Sequence, residues 1–429
     1  MKQRDSGAEM HSWATDLFPI CRSLTGQGVR ETLEYLSGLM SGMTIVNIPS
    51  GTKVLDWTVP QEWLIRDAYV ADSDGHRLID FQKSNLHVVG YSEPVDMMVT
   101  REDLDSHLHS LPDQPSAIPY VTSYYRRTWG FCLADEERIN LGSGPFHVVV
   151  DSELFDGNLT YGEVVIPGES EEEVLLSTYV CHPSMANNEL SGPVVAAALV
   201  RWLTSLDRRR YTYRFVFISE TIGSIAYLAT HLDHLRARTV AGWVLTCIGD
   251  ERAYSYLPSR NGRTLADRVS LKALDERGHE YRRYSYLERG SDERQWCSPG
   301  ADLPVASLMR SKYGEFPEYH TSLDDLTLVT ASGLEGGLGM MIDVITLLEA
   351  NKTWRAVHVG EPQLGPRGLY PNTSIKGSGL AVRDMVNVLA YADGTLDVIG
   401  LSEACEAPTS EIVKHATKLA EAGLLVATS

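Results

Sequence analysis

Glu173-Val-Leu-Leu-Ser-Thr-Tyr-Val-Cys-His-Pro-Ser-Met-Ala-Asn-Asn-Glu-Leu-Ser-Gly-Pro-Val-Val-Ala-Ala-Ala-Leu-Val-Arg-Trp-Leu-Thr-Ser-Leu206 changes texture twice. Val174 to Val180 is an apolar run short enough for a strand buried on both faces. Cys181 to Glu189 is a loop that places a histidine among amides and a carboxylate. From Leu190 to Leu206 apolar residues recur at helical spacing. The same alternation continues downstream, with strands at Tyr213 to Ile218, Val240 to Ile248 and Pro304 to Met309. Helices are expected at Ile222 to Leu235, Thr264 to Arg277 and Ala331 to Glu349. Apolar strands separated by helix-length segments imply an α/β fold with a mixed, mostly parallel sheet covered on each side. Ligands of such sheets bind beyond the carboxyl ends of the strands, where His182 and Glu220 fall.

Upstream, Glu9 to Met43 reads as two helices around a Thr25-Gly-Gln-Gly28 break. Between Leu55 and Arg138 short apolar-polar alternations appear, with a hairpin signal at Asp74-Gly75. A further β pair, Phe146 to Val150 and Tyr161 to Ile166, brackets an Asp156-Gly-Asn158 turn. Downstream, the Gly- and Pro-rich Gly360 to Gly368 stretch precedes helices at Ala381 to Ala392, Asp397 to Glu406 and Pro408 to Ala422, then Leu424 to Val426. Three compact helices and a trailing strand suggest a winged helix. The expected domains are N-terminal helices over 1–54, an inserted β-rich domain over 55–145, an α/β domain over 146–355 and a winged helix over 370–429.

The 429 residues carry a formal charge of −19, which disfavours wrapping of nucleic acid. The last helix offers Lys414, His415 and Lys418 beside Glu411 and Glu421, a thin basic face for a DNA reader. The N-terminus is polar and no window approaches the roughly twenty apolar residues of a membrane span, so a cytoplasmic protein without a membrane partner is expected. Six scattered cysteines lack metal or redox spacing. Cys181 reads as a small buried residue closing a strand.

A second histidine context, Glu318-Tyr-His-Thr-Ser-Leu-Asp-Asp325, matches the first in setting an imidazole beside carboxylates. Neutral imidazoles and ionised carboxylates together satisfy a zinc-like ion. His182 and His320 are therefore the leading ligand candidates, and Glu220, ending an apolar strand, is a candidate general base. The alternative for Glu220 is a carboxylate complementing a helix N-terminus, and Asn188 and Glu189 could cap one. Asp324 and Asp325 are read as caps of a helix starting near Leu326.

Cys181 to Gly192, Ile218-Ser-Glu-Thr-Ile-Gly-Ser224, Gly290-Ser-Asp-Glu-Arg-Gln295 and Tyr319 to Asp325 together resemble the aminopeptidase-like family of DUF4910/DUF2172 type, related to zinc-dependent M28 peptidases. Phe18 to Gly26, Ser50 to Pro60 and the closing winged helix are similar to it as well. The resemblance covers nearly the whole chain and implies a phosphorylase/hydrolase-like α/β core with an inserted β domain. It further implies a metal-dependent hydrolase of an amide or peptide-like bond. His182 and His320 match the family's first and last metal ligands. Glu220 stands where relatives carry a Glu-Glu pair, and Tyr319 where they place an oxyanion-stabilising phenol. Asn188 falls at the bridging aspartate and Thr246 at another expected aspartate, so one zinc ion is expected in preference to two, completed by Glu189 or Asp250. Asp292, Arg294, Arg22, Arg30 and Asn188 are candidates for orienting or binding substrate. The resemblance suggests a specialised small molecule or short peptide, of polysaccharide or natural-product pathways. Two other readings stand beside it: a catalytically silent binding or assembly protein, self-association included, and a winged-helix regulator with a ligand-sensing α/β domain.

Overall fold

The computed structural model describes residues 6–124, 126–369 and 380–428. They divide into two units, 1–267 with 280–339 and 268–279 with 340–429. The first is built on an eight-stranded sheet in the order Thr44–Pro49, Asn158–Ile166, Thr212–Ile218, Glu173–Tyr179, Thr239–Val244, Val305–Met309, Ser255–Leu257, Arg282–Arg283. The four middle strands run parallel. Antiparallel pairings enter on both flanks, which makes the sheet mixed. Every residue of Glu173–Tyr179 is buried, as an apolar run with helices on both faces requires.

Gly192 lets the following helix, Ser191–Ser205, approach the sheet. A Cβ there would stand 2.2 Å from the Leu245 carbonyl oxygen and 2.4 Å from Thr178 Oγ1. Contact this close fixes the loop between Tyr179 and Ser191 and the histidine it carries.

Several expectations are corrected. Phe146–Phe155 and Asn158–Ile166 do not pair with one another. The former lies in a separate four-stranded sheet, ordered Arg77–Asp80, Glu62–Ala71, Phe146–Phe155, Val95–Val99, and the latter in the large sheet. Asp156 and Gly157 therefore carry the chain between sheets, and the small sheet reaches beyond residue 145. Val240 to Ile248 is strand only to Val244, because Cys247 adopts φ +49° and turns the chain. No helix begins at Leu326; the helix Ala331–Ala350 starts later. That helix is long and apolar enough by composition to cross a membrane, contrary to the reading of the sequence, and 61% of its apolar window is buried in the protein.

Residues beyond the small sheet reach back to the large one. Pro119 bridges Thr321, the Tyr120 N–H donates to the His320 carbonyl at 2.8 Å, and the Ser322 N–H donates to the Ile118 carbonyl at 2.8 Å. This backbone strap holds the His320 loop.

In the second unit a three-stranded sheet, Asp393–Asp397, Thr353–Ala356, Leu425–Ala427, packs with the helices Leu380–Tyr391, Val398–Cys405 and Thr409–Glu421. Residues 370–379 of the expected winged-helix span lie outside the described residues. His415, expected on the basic face, is buried, and Lys414 pairs with Glu411 at 2.9 Å. Asp397 caps a helix through the Gly400 N–H at 2.9 Å and takes a two-pronged ion pair from Arg268 at 2.7 Å.

Three stability measurements follow. Gly192→Ala is expected to lower unfolding free energy in urea by about 1–3 kcal/mol through overpacking. Gly38→Ala, at a helical position with open space around it, should raise it by about 0.5–1 kcal/mol. At Asp397, burial opposes the charge, but Arg268, the Gly400 N–H and Asn351 outweigh it and hold the pKa below 3.8. Its stabilisation is then complete above the unfolded value and fades as pH falls through the lower folded one. Asp397→Ala should cost about 1–3 kcal/mol at neutral pH and progressively less in acid.

Candidate active site

Four non-glycine residues with left-handed backbone sit in loops that converge on one place: Ser184 (φ +40°), Thr221 (+64°), Cys247 (+49°) and His320 (+56°). Such conformations cost of order 1–3 kcal/mol each where strained and persist where their surroundings enforce them. At Thr221 the enforcement is visible. With ψ −73° and the Ile222 N–H donating to the Glu220 carbonyl at 2.8 Å, Thr221 is the centre of a γ-turn of the rare positive-φ kind. The Thr221 N–H donates to Asp292 Oδ1 at 2.8 Å, Ser224 Oγ donates to the same oxygen at 2.8 Å, and Arg294 Nη2 donates to Thr221 Oγ1 at 2.5 Å. The turn stops the Thr212–Ile218 strand and delivers Glu220 to the cavity.

His182 is set from behind. Its Nδ1 meets Glu189 Oε2 at 2.8 Å, while Nε2 points forward to Glu220 Oε2 at 3.6 Å. Glu189 is sealed from solvent, with Arg22 Nε 3.6 Å from its other oxygen. Arg22 also donates to the carbonyls of His182 (2.9 Å) and Leu17 (2.8 Å). Burial disfavours a charged His182, but Cys181 and the Glu189 carboxylate outweigh it and raise its pKa well above the ordinary value. Glu220, one-fifth exposed, has its pKa raised by burial, against the opposing charges of His182 and Arg294. His320 is pushed down to about 3 by burial and by His182, so its imidazole is neutral.

His320 Nε2 lies 3.1 Å from Asn188 Oδ1, and the two histidine rings are 5.4 Å apart. Asn188 spends its Nδ2 on the Tyr179 hydroxyl at 2.7 Å, and its carbonyl accepts from Thr246 Oγ1 at 2.8 Å. Beneath it, the wholly buried Asp324 accepts the N–H groups of Asn187 (2.6 Å) and Asn188 (2.9 Å), which pins the turn Ala186–Leu190.

The structure thus brings together His182, His320, Glu220, Asn188, Asp292 and Arg294, and redistributes their expected parts. Asp250 is committed elsewhere, to Asn187 Nδ2, the Ser311 N–H and hydroxyl, and the Arg252 N–H. Glu189 stands on the far side of His182, where it orients the ring. Neither is placed as a third ligand. Arg22 and Asn188 are interior residues that hold the two histidines, so neither meets substrate, and Asp292 anchors the γ-turn. Arg30 pairs with Glu62 at 2.6 Å. Tyr319 stacks flat on His320 at 4.0 Å and does not line the cavity. Asp324 clamps a backbone turn in place of capping a helix, and Asp325 holds a local turn through the Thr327 N–H.

A cavity of about 650 Å³ opens over these groups, lined by His182, Glu220, Arg294, His320, Trp57 and Tyr120 among others. Tyr120 lies 5.2 Å from the His182 ring and 5.3 Å from that of His320, and its hydroxyl is 2.9 Å from that of Tyr124. The sequence reading missed both phenols. Their signal was the aromatic and basic density of Pro119-Tyr-Val-Thr-Ser-Tyr-Tyr-Arg-Arg127, unusual for a plain β insertion.

The imidazole of His182 and the carboxylate of Glu220 are donors of the kind that hold a metal. Glu220 stands 3.6 Å from His182 Nε2, close enough to act on a water held in front of that imidazole. The Nδ1–Oε2 contact of 2.8 Å is a hydrogen bond, too short for an ion to sit between. Glu220 faces the His182 imidazole from the cavity. The nearby trio Cys181, His182 and Glu189 has its imidazole nitrogen already occupied by Glu189.

The parallel-centred sheet, with two histidines and a glutamate at its carboxyl edge, has the fold seen in zinc aminopeptidases, and a winged helix follows it in sequence. The zinc aminopeptidase BSAP of Bacillus subtilis shares the fold at TM-score 0.58, with 12% identity over 80% of this chain and 95% of that one. The family model described as "Domain of unknown function (DUF4910)" matches residues 11–351, and a winged helix-turn-helix model matches 352–427. The chain belongs to the DUF4910 family. A Clostridium acetobutylicum protein described as "Putative polysaccharide biosynthesis protein with aminopeptidase-like domain" is 45% identical over 367 residues, 85% of this chain and 84% of that protein. The crystal structure of a "putative peptidase" from Clostridium acetobutylicum superposes with TM-score 0.92 at 41% identity, covering 98% of this chain and 96% of that one.

Thr221→Gly should raise unfolding free energy by about 1 kcal/mol, because glycine adopts the left-handed turn freely. Asp292→Ala should lower it by about 1–3 kcal/mol through the unpaired Thr221 N–H. Urea titrations read both, and a fall for Thr221→Gly would show that the turn stores no strain.

Proposed function

We propose that the protein is a metal-assisted hydrolase of an amide bond in a small molecule or short peptide. The observation that carries this reading is Glu220, with raised pKa, 3.6 Å from Nε2 of a histidine whose other nitrogen is fixed by a buried carboxylate. The fold shared with a zinc aminopeptidase and the aminopeptidase-like description of the 45% identical relative support it.

His182 and His320 would hold a single zinc ion. When bound it would act as a Lewis acid on the scissile carbonyl. Glu220 takes a proton from the attacking water as the water oxygen bonds to the carbonyl carbon. It returns that proton to the amide nitrogen as the C–N bond breaks, giving a carboxylic acid and an amine. Tyr120, its hydroxyl paired with that of Tyr124, faces the cavity where a phenol can donate to the developing oxyanion. Arg22 and Glu189 keep His182 from rotating, the outer support a metal-binding imidazole needs.

A place in polysaccharide assembly rests on the relative's description alone. Cytoplasmic residence is supported by six cysteines that form no disulfide. The regulator reading is weakened by the burial of His415 and the pairing of Lys414.

Metal analysis after zinc-replete purification should find one zinc per chain, lost in His182→Ala. Glu220→Gln should keep the zinc and lose about 10²–10⁴-fold in turnover of an N-acyl and aminoacyl amide panel. Undiminished turnover in Glu220→Gln would remove the proposed base.

A further inference from the structure

We propose that the substrate is an anionic amide, whose carboxylate or phosphate group is received by Arg294 in the catalytic cavity. The inference rests on the hydrolase reading of the same site and adds the chemical class of what enters it.

Arg294 lines the cavity beside His182 and the neutral His320, and its guanidinium is exposed to it. It donates to a neutral partner, the Thr221 hydroxyl, and among the described residues it forms no ion pair. A guanidinium has five N–H donors in a fixed fork, so most of that fork remains for a ligand. Elsewhere in this acidic chain arginines find carboxylates, as Arg214 does with Glu173 and Glu163, Arg252 with Glu318 and Arg268 with Asp397. Arg294 feels the charge of Glu220 but forms no ion pair with it among the described residues, so in a chain of 57 acidic against 38 basic residues its fork remains open to a counter-charge from outside.

Position gives the geometry of recognition. Arg294 grips the residue next to Glu220, so an anion on its fork sits close to the carbonyl that Glu220 and His182 face. The other charged lining groups are Glu220, which works on the reacting atoms, and Asp56, exposed in the two-residue turn of the hairpin Lys53–Val54 and Trp57–Thr58. Trp57, Tyr120 and Tyr124 supply flat walls for a ring, aromatic or sugar. A neighbouring cavity of about 250 Å³ shares Pro60 and Tyr124 with the first and adds Arg126 and Arg127. Arg127 donates to the neutral Gln61 at 2.5 Å, and neither arginine has an ion pair among the described residues. The positive field therefore continues along the wall where the rest of an anionic substrate would extend.

The test is calorimetric binding to full-length Glu220→Gln protein, in which affinity is read without turnover. The probes are N-acetylphenylalanine, its methyl ester, N-acetylglucosamine and N-acetylglucosamine 1-phosphate. The charged member of at least one pair should bind tenfold or more tighter than its neutral counterpart, with the advantage shrinking as salt rises. Adding Arg294→Gln should erase that advantage, and Arg294→Lys should keep part of it. Preference within the first pair identifies a carboxylate, within the second a phosphate. Equal binding of charged and neutral members, binding by none, or a charge preference that survives Arg294→Gln overturns the proposal. Wild-type turnover of the panel is scored separately, so a silent protein that still selects anions would refute hydrolysis and leave the anion site standing.

Discussion

The buried carboxylate of Glu189 against Nδ1 of His182 is the contact on which the site depends. A carboxylate without solvent is costly unless paired and hydrogen-bonded. Here the pairing comes from Arg22, which reaches in from the N-terminal segment and also takes the His182 carbonyl. Three parts of the chain, residues near 22, 182 and 189, are thereby locked so that one imidazole nitrogen can face only outward. The glycine at position 192 and the clamp by Asp324 on the Asn187 and Asn188 amides serve the same end from the helix side.

The opposite wall is set by backbone. The γ-turn at Thr221, the left-handed His320 and the strap from Ile118 to Tyr120 each aim a side chain by constraining the main chain under it. Strained backbone gathered at one sheet edge is what a site built for fixed geometry leaves behind. Asp292 belongs to this class of support: its carboxylate shapes the turn that carries Glu220.

Much of this was legible in the sequence. The uninterrupted apolar run of Glu173–Tyr179 announced a doubly covered strand, and loop histidines after strands announced a site at the sheet's carboxyl edge. The pairing of His182 with Glu220 followed from both ending strands of one parallel sheet. What was not legible had a common cause. Whether Glu189 faces toward the cavity or behind His182 depends on the Ala186–Leu190 turn, which no periodicity reveals. Arg22 reads as a substrate-binding candidate and Asp250 as a metal ligand because their actual partners lie 160 and 61 positions away. Tyr120 and Tyr124 escaped because the insertion was read for its strands, while the segment that matters is irregular backbone.

The account turns on one forward-facing nitrogen. Anomalous diffraction at the zinc edge, from crystals of the full chain soaked in zinc, tests it most directly. The account predicts a single peak in the cavity within bonding distance of His182 Nε2, beside Glu220, with the Glu189 contact to Nδ1 intact. A cavity without a peak, or zinc confined to the exposed Asp72, Asp74 and His76 hairpin, would contradict it.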